Sequence, residues 1–591
     1  MLAFAAMVRL DGPPVTPDEV ARLTAALAAT PGRVTTRQHD DVAAVHVAHD
    51  VPLEYDRDLP LVDARGRTLF GAVRLDDRDR LRRALRPDDP RALAQASDAQ
   101  LALHAYDQWG DRFAEHLMGD YAIGIWDPTG RRVVCARDHH GNRQLYWGVA
   151  DGRCVVSSTL DGVRAVSARA GALRDEAIAS FLRDGYVADP QATVWRGVER
   201  LPRATTLRIA ADGSASLREH WRFPTPTPIR YRDARDYPAH FVEVLGNALR
   251  DRLRATDAVI FLSGGMDSTT LAAVARDAAP DVTLHAFTTG APTVVASDDD
   301  RLAPLVAARL GIAHEALHAD RSIPLSWLDD RDAYPSQPID EPELADWRAS
   351  MRVAAARAPI AIFGEDGDTL LQPPTLLAQL RSQPLAEVVR TWLQFRRDAG
   401  HWPWIGLEWR RRLRRALGRE PDRTPWLRSE ARRVAPDVGR ASHPVRRASV
   451  RLLTAGLWET VYEGMSPSVT GAASLVTFPL MDPRVIEFVF AIPPVPWGQD
   501  KRLLREAMRD RLPPEVVTRP KTPYIGAIEA RVAQWRAAGG ASANLSERVA
   551  PWVDRAQVKA VFESGDPYAV VDAWRVLQLD RWLAREAGHR A

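Results

Sequence analysis

The chain reads as an α/β protein, α+β overall: a β-rich sandwich first, then a parallel sheet wrapped by helices, then a mainly helical C-terminal part. Three observations predict this. Short alternating segments crowd the first part. A Pro/Thr stretch, Trp221-Arg222-Phe223-Pro224-Thr225-Pro226-Thr227-Pro228, interrupts them. Beyond it, apolar strands alternate with helical periods. At 591 residues the chain exceeds one ordinary domain. The Pro/Thr stretch reads as a stiff linker, dividing the chain into 1–222 and 229–591.

In the first part, Tyr121 to Asp127, Arg132 to Arg137 and Arg153 to Ser158 read as strands, parted by the turn residues Asp127-Pro128-Thr129-Gly130 and Asp151-Gly152. After the linker, strands are expected at Ala258 to Leu262, Val282 to Thr288 and Pro359 to Phe363, and helices dominate from about Pro373 onward.

The charge is nearly balanced, 79 basic against 77 acidic residues, so no nucleic-acid partner is implied. Only Lys501, Lys521 and Lys559 are lysines. Where arginine has displaced lysine almost everywhere, the survivors invite suspicion, since arginine cannot replace lysine where a compact point charge is needed. Two cysteines, Cys135 and Cys154, rule against a disulfide scaffold and read as small buried apolar residues. The start, MLAFAAMVRLDG, lacks a basic n-region and reads as a first strand, and no apolar run is long enough to span a membrane. A cytoplasmic protein is expected.

The segment Ala258 to Ala273, AVIFLSGGMDSTTLAA, carries the chemistry. A buried strand ends at Leu262, a tight turn follows over Ser263-Gly264-Gly265-Met266-Asp267-Ser268, and a helix begins. Adjacent glycines let the backbone turn and approach a ligand. The helix aims unpaired N–H groups and its dipole at the turn, which makes an anion site suited to phosphate. The lysine and spacing of a Walker loop are absent.

Ser-Gly-Gly-x-Asp-Ser resembles the pyrophosphate loop of ATP pyrophosphatases, which cut ATP between its α and β phosphates. The resemblance implies ATP and Mg2+. It assigns Leu262, Ser263, Gly264, Gly265, Asp267 and Ser268 to ATP and pyrophosphate, with Asp267 as a magnesium ligand and catalytic residue. Ile362-Phe363-Gly364-Glu365-Asp366-Gly367-Asp368 resembles the Ser-Gly-Glu-Gly-Ala-Asp-Glu element of asparagine synthetases. It places Gly364 at the nucleotide and Asp368 on the metal, with Thr369 where the family carries Glu. Arg519-Pro520-Lys521 matches the family's phosphate-facing lysine, so Lys521 is expected to be catalytic and to bind ATP. Asp340-Glu341-Pro342 matches a family Asp-Glu-Pro of no derivable role. Phe478 to Phe488 resembles the family's Pro-Phe-Leu-Asp helix entry and is read as packing.

The first part, through Leu117-Met118-Gly119-Asp120-Tyr121-Ala122 and Ala136-Arg137-Asp138-His139-His140-Gly141, resembles class II glutamine amidotransferase domains. Their nucleophile is an N-terminal cysteine; position 2 here is Leu2, and Leu69-Phe70-Gly71-Ala72-Val73 stands where a glutamine-binding signature is found. Glutaminase chemistry is expected to be lost. His139 and His140 read as surface residues. The Arg/Trp-dense stretch from Gln394 to Arg440 reads as a solvated helical face, or as a docking surface for a peptide or partner, with nucleic acid a third reading that no recognition motif accompanies.

The whole pattern resembles the asparagine synthetase superfamily, and within it lasso peptide cyclases. That resemblance implies an AMP-forming macrolactam synthetase acting on a precursor core peptide, alongside a leader peptidase and a leader-binding protein. A β-lactam synthetase or an ammonia-dependent amide ligase is the alternative, and a tRNA-modifying pyrophosphatase a distant one.

Overall fold

The computed structural model describes residues 2–590 apart from 40, 51–52, 57, 87–92, 167–170, 296, 321, 331–334, 366, 404–421, 436–442, 521–525 and 541–543. Two antiparallel sheets of six strands form the first part. One sheet runs Glu199–Arg200 (β10), Tyr146–Ala150 (β8), Arg153–Ser157 (β9), Ala3–Arg9 (β1), Val42–Ala48 (β3) and Arg33–His39 (β2). The other runs Ala215–Glu219 (β12), Thr205–Ile209 (β11), Arg132–Arg137 (β7), Gly119–Asp127 (β6), Thr68–Leu75 (β5) and Leu61–Val62 (β4).

Period-two alternation explains why the sheets stack. Phe4, Ala6 and Val8 of β1 face Phe70, Ala122 and Val133 in the core between the sheets. Ala3, Ala5 and Met7 face the opposite way, into a core shared with the helices Asp175–Asp184 and Pro567–Arg590. On the far side, Leu69 and Val73 of β5 pack on the helix Asp98–Trp109. Cys135 and Cys154 are fully buried in the inter-sheet core, where burial pushes both thiols up.

The second part holds a five-stranded sheet ordered Ala313–His318 (β15), Thr283–Gly290 (β14), Asp257–Phe261 (β13), Ile360–Ile362 (β16) and Leu475–Thr477 (β17), every pair parallel. Parallel pairs need crossovers, supplied by the helices Met266–Ala278, Asp299–Leu310 and Leu344–Arg357. The chain winds from β13 outward through β14 to β15, then returns to the other side of β13 for β16 and β17. Its switch point therefore lies between β13 and β16, and ligands bind outside the strand ends at such a point.

Buried charges tie the two parts together. Arg252, on the helix Asp236–Arg252, meets Asp482 at 2.6 Å and Asp76 at 3.1 Å. Arg74 meets Asp76 and, at 2.7 Å, Asp120. Burial alone would raise the Asp482 carboxyl, but Arg252 and Arg484 outweigh it and hold it well below the usual range. Arg137 reaches Glu459 at 2.7 Å across the same divide. The Phe478 to Phe488 stretch thus does more than pack: Asp482 caps the helix Pro483–Ala491 and anchors this network.

Two expectations change. His139 and His140 are not surface residues: Trp221 turns back onto both rings, at 5.1 and 5.4 Å, and Phe223 covers His140. Burial pushes His139 down to about 4 and His140 well below its ordinary value. Leu475–Thr477, inside the part expected to be mainly helical, is the edge strand of the sheet.

Candidate active site

The turn after β13 stands as the sequence implies, but its glycines act by close approach. Gly265 caps the helix Met266–Ala278 with an ordinary φ of −82°. A Cβ on Gly264 would lie 2.8 Å from the Arg519 guanidinium and 2.9 Å from Leu302 Cβ. The turn is held from within: Ser268 Oγ accepts from Ser263 N at 3.0 Å, and Ser263 Oγ accepts from Gly265 N at 3.1 Å. Gly264 N donates to Asp299 Oδ1 at 2.9 Å, so the loop already holds an oxygen anion on one amide. Thr288 Oγ1 donates to Leu262 O at 2.7 Å, pinning the turn to β14.

The strand end of β16 arrives beside it. A Cβ on Gly364 would stand 2.8 Å from Ser268 N, and one on Gly367 would stand 2.4 Å from Asp267 Cγ. Only glycine allows this contact, which explains two glycines among the carboxylates. Asp267 sits in the first turn of its helix, where the dipole favours an anion.

Asp267 and Asp368 converge on one cation, the Lys501 ammonium, at 2.6 and 2.8 Å. Burial alone would lower Lys501, but Asp267 and then Asp368 outweigh it and hold its pKa above the ordinary value. Asp500 and Lys501 are both left-handed, with φ of 48° and 55°. For non-glycine residues that costs on the order of 1–3 kcal/mol each. The strained pair aims the ammonium at the carboxylates. Glu365 lines the same cavity. Desolvation by the surrounding walls raises its carboxyl, and Asp267 and Asp368 raise it further.

These groups line a cavity of about 1970 Å³ that includes Phe287, Trp347, Arg505 and Arg519. The donor set is all oxygen, and two carboxylates already share one cation, which fits magnesium. Among the described residues no set of three or more His, Cys, Asp or Glu forms a cage; magnesium commonly takes one or two carboxylates and completes its shell with phosphates and water.

The structure brings together Leu262, Ser263, Gly264, Gly265, Asp267, Ser268, Gly364 and Asp368 around this cavity. Lys521 and Asp366 lie outside the described residues, as do Trp404, Trp409 and Arg410 to Arg415 of the Arg/Trp stretch; of its described members, Trp402 is exposed and Trp426 fully buried. Sequence reasoning gave no role to Lys501, Glu365, Arg519 or Asp299. The scarcity of lysine was the available signal for Lys501.

The space around Leu2 is small. Leu2 packs on Leu53, Tyr55 and Leu475, beside a cavity of about 40 Å³ lined by Asn142, Arg143 and Ser158. That holds roughly three waters.

A strand–turn–helix anion site at the switch point of a parallel sheet, backed by an antiparallel sandwich, defines the class as a nucleotide-type α/β site joined to an amidotransferase-like part. The chain belongs to the asparagine synthase family, whose model matches residues 240–584. A glutamine amidotransferase domain model matches residues 76–221. A putative glutamine-hydrolysing asparagine synthetase of Mycobacterium tuberculosis (H37Rv) is 29% identical over 297 residues, 49% of this chain and 45% of that protein. Asparagine synthetase [glutamine-hydrolyzing] 3 of Bacillus subtilis (168) is 23% identical over 183 residues, 31% of this chain and 29% of that one. The amidase chyE of Penicillium rubens is 28% identical over 185 residues, 31% and 27% of the two chains. The chain thus spans less than half the length of these relatives. A B. subtilis glutamine phosphoribosylpyrophosphate amidotransferase structure aligns at TM-score 0.26 and 13% identity, over 61% of this chain and 74% of that one, too slight to carry argument. Among the described residues no helix is long and apolar enough to cross a membrane.

Proposed function

We propose that the chain is an AMP-forming amide ligase of the lasso peptide cyclase kind, with a degenerate amidotransferase-like domain (1–222) and an adenylating domain (229–591). It activates an Asp or Glu side chain of a core peptide and joins it to the peptide's own N-terminal amine. The observation that carries this is the cavity at the β13/β16 switch point. It couples a phosphate-type turn to paired carboxylates, and at about 1970 Å³ it is twice the upper size of ordinary small-molecule sites. A nucleotide leaves much of it for a second, large substrate.

The reaction balances in two steps. The substrate carboxylate attacks the α-phosphorus and pyrophosphate leaves; the amine nitrogen then attacks the acyl carbon, AMP leaves, and one proton is lost from nitrogen. Ser263, Ser268 and the turn amides hold the departing pyrophosphate. Asp267 and Asp368 would hold magnesium, which neutralises phosphate charge when bound. Lys501 adds positive charge beside the same phosphates, and Lys521 is proposed to join it. Glu365, its carboxyl raised and open to the cavity, takes the proton from the attacking amine. Closing an eight- or nine-residue ring costs about 2 kcal/mol of chain entropy, so the large cavity must also fold the peptide before the chemistry.

The loss of glutaminase chemistry is supported by the 40 Å³ cavity beside Leu2 and by two thiols buried between sheets. A leader peptidase and leader-binding protein are proposed as partners. The names of the relatives, glutamine-hydrolysing asparagine synthetases among them, favour a second reading, synthesis of a small amide, which without glutaminase chemistry would take its nitrogen from ammonia. Linear peptides with a free amine and Asp or Glu at residue eight or nine, tested beside aspartate plus ammonia, separate the two. A peptide product lighter by one water supports the first reading; asparagine supports the second.

A further inference from the structure

We propose that Trp347 forms an apolar subsite for a hydrophobic or aromatic side chain next to the carboxylate that is activated. This rests on the adenylating reading above and specifies its substrate. Phe261 stands two residues before Ser263, and Phe363 two residues before Glu365, so their rings flank both chemical loops. They stack at 4.4 Å. Trp347, from the helix Leu344–Arg357, lies across both, 5.6 Å from Phe261 and 5.2 Å from Phe363. The two phenylalanines are buried at 9% and 5% exposure, whereas Trp347 is partly open and lines the cavity. Phe261 and Phe363 line the cavity as well, and Trp347 is the more open face of this aromatic wall.

Position assigns that ligand. Phe287 and Thr289 of β14 line the cavity on one side of β13, and Trp347 meets Phe363, the residue after β16 and two before Glu365, on the other. A nucleotide that runs from the turn along β14 leaves Trp347 to the acyl substrate. A flat indole face gains most from an aromatic or aliphatic partner. Free aspartate would set its α-carboxylate against that face, losing hydration without a hydrogen-bond partner. The wall therefore favours a carboxylate embedded in peptide.

The probes are the blocked dipeptides acetyl-Phe-Asp-amide, acetyl-Gly-Asp-amide and acetyl-Lys-Asp-amide, with binding read by calorimetry and ATP–pyrophosphate exchange measured in parallel. The Phe probe is expected to bind about tenfold more tightly than the Gly probe. Trp347→Ala should shrink that preference to about twofold and Trp347→Phe should keep most of it, with ATP affinity unchanged in both. The subsite is overturned if the Phe probe shows no binding at millimolar concentration, if the preference survives Trp347→Ala, or if Trp347→Ala weakens ATP instead. It is equally overturned if the Lys probe matches the Phe probe, which would make the ring a cation site. Binding needs no turnover. A Phe preference without exchange leaves the subsite standing and sinks the adenylation reading; exchange without a Phe preference does the reverse.

Discussion

Lys501 Nζ joins Asp267 Oδ2 at 2.6 Å to Asp368 Oδ1 at 2.8 Å, linking the helix after β13 to the short helix Gly367–Leu371 that follows β16. Removing the ammonium leaves two carboxylates facing each other and one positive charge fewer for the phosphates. Lys501→Ala is expected to slow ATP–pyrophosphate exchange by about 10²–10³-fold. Lys501→Arg should recover little, because a planar fork cannot replace a point charge set between two oxygens on a left-handed turn.

Asp267→Asn and Asp368→Asn test the cation site. Each should raise the magnesium concentration needed for half-maximal nucleotide binding by about tenfold, read by titration calorimetry with a non-hydrolysable ATP analogue. Unchanged magnesium dependence in both variants would remove these carboxylates from the site.

Glu365→Gln separates the two chemical steps. Exchange should persist while amide formation falls by about 10²–10⁴-fold. A base must be deprotonated, and the folded Glu365 carboxyl is raised. Amide formation should therefore fall on acidification, and the variant should lose that acidic limb.

The turn over Ser263 to Ser268 was legible because strand, glycines and helix are contiguous and each has a local signature. Lys501 was not, since 234 residues separate it from Asp267 and its aim depends on two strained backbone positions. Glu365 could be seen as a motif member, but its raised carboxyl arises from walls and carboxylates gathered by the fold. β17 escaped because three residues carry no period. His139 and His140 were misread because nothing local in a Pro/Thr linker says that Trp221 and Phe223 fold back onto them.

Arg252 lies between Asp482 and Asp76 where all three are buried. Arg252→Ala strands buried carboxylates, so urea unfolding should show a loss of about 3–5 kcal/mol. Because the network spans both parts, the variant should also broaden the transition.

His46 is fully buried, and its Nε2 accepts from Gly71 N at 3.1 Å, which requires the neutral ring. Burial pushes its pKa down to about 3, whereas in the unfolded chain it titrates near ~6.5. Below that pH the unfolded chain takes up a proton that the folded one refuses, so stability falls on acidification until about pH 3. His46→Phe removes this term. The stability difference between wild type and variant should shift against wild type by ~1.4 kcal/mol per pH unit below ~6.5. A pH-independent difference would contradict a neutral buried His46.

The most direct measurement is the nucleotide product formed with magnesium, ATP and linear peptides carrying a free amine and Asp or Glu at residue eight or nine. The account predicts AMP and pyrophosphate in step with a peptide lighter by one water, both abolished in Asp267→Ala. Formation of ADP and phosphate, or full activity in Asp267→Ala, would contradict it.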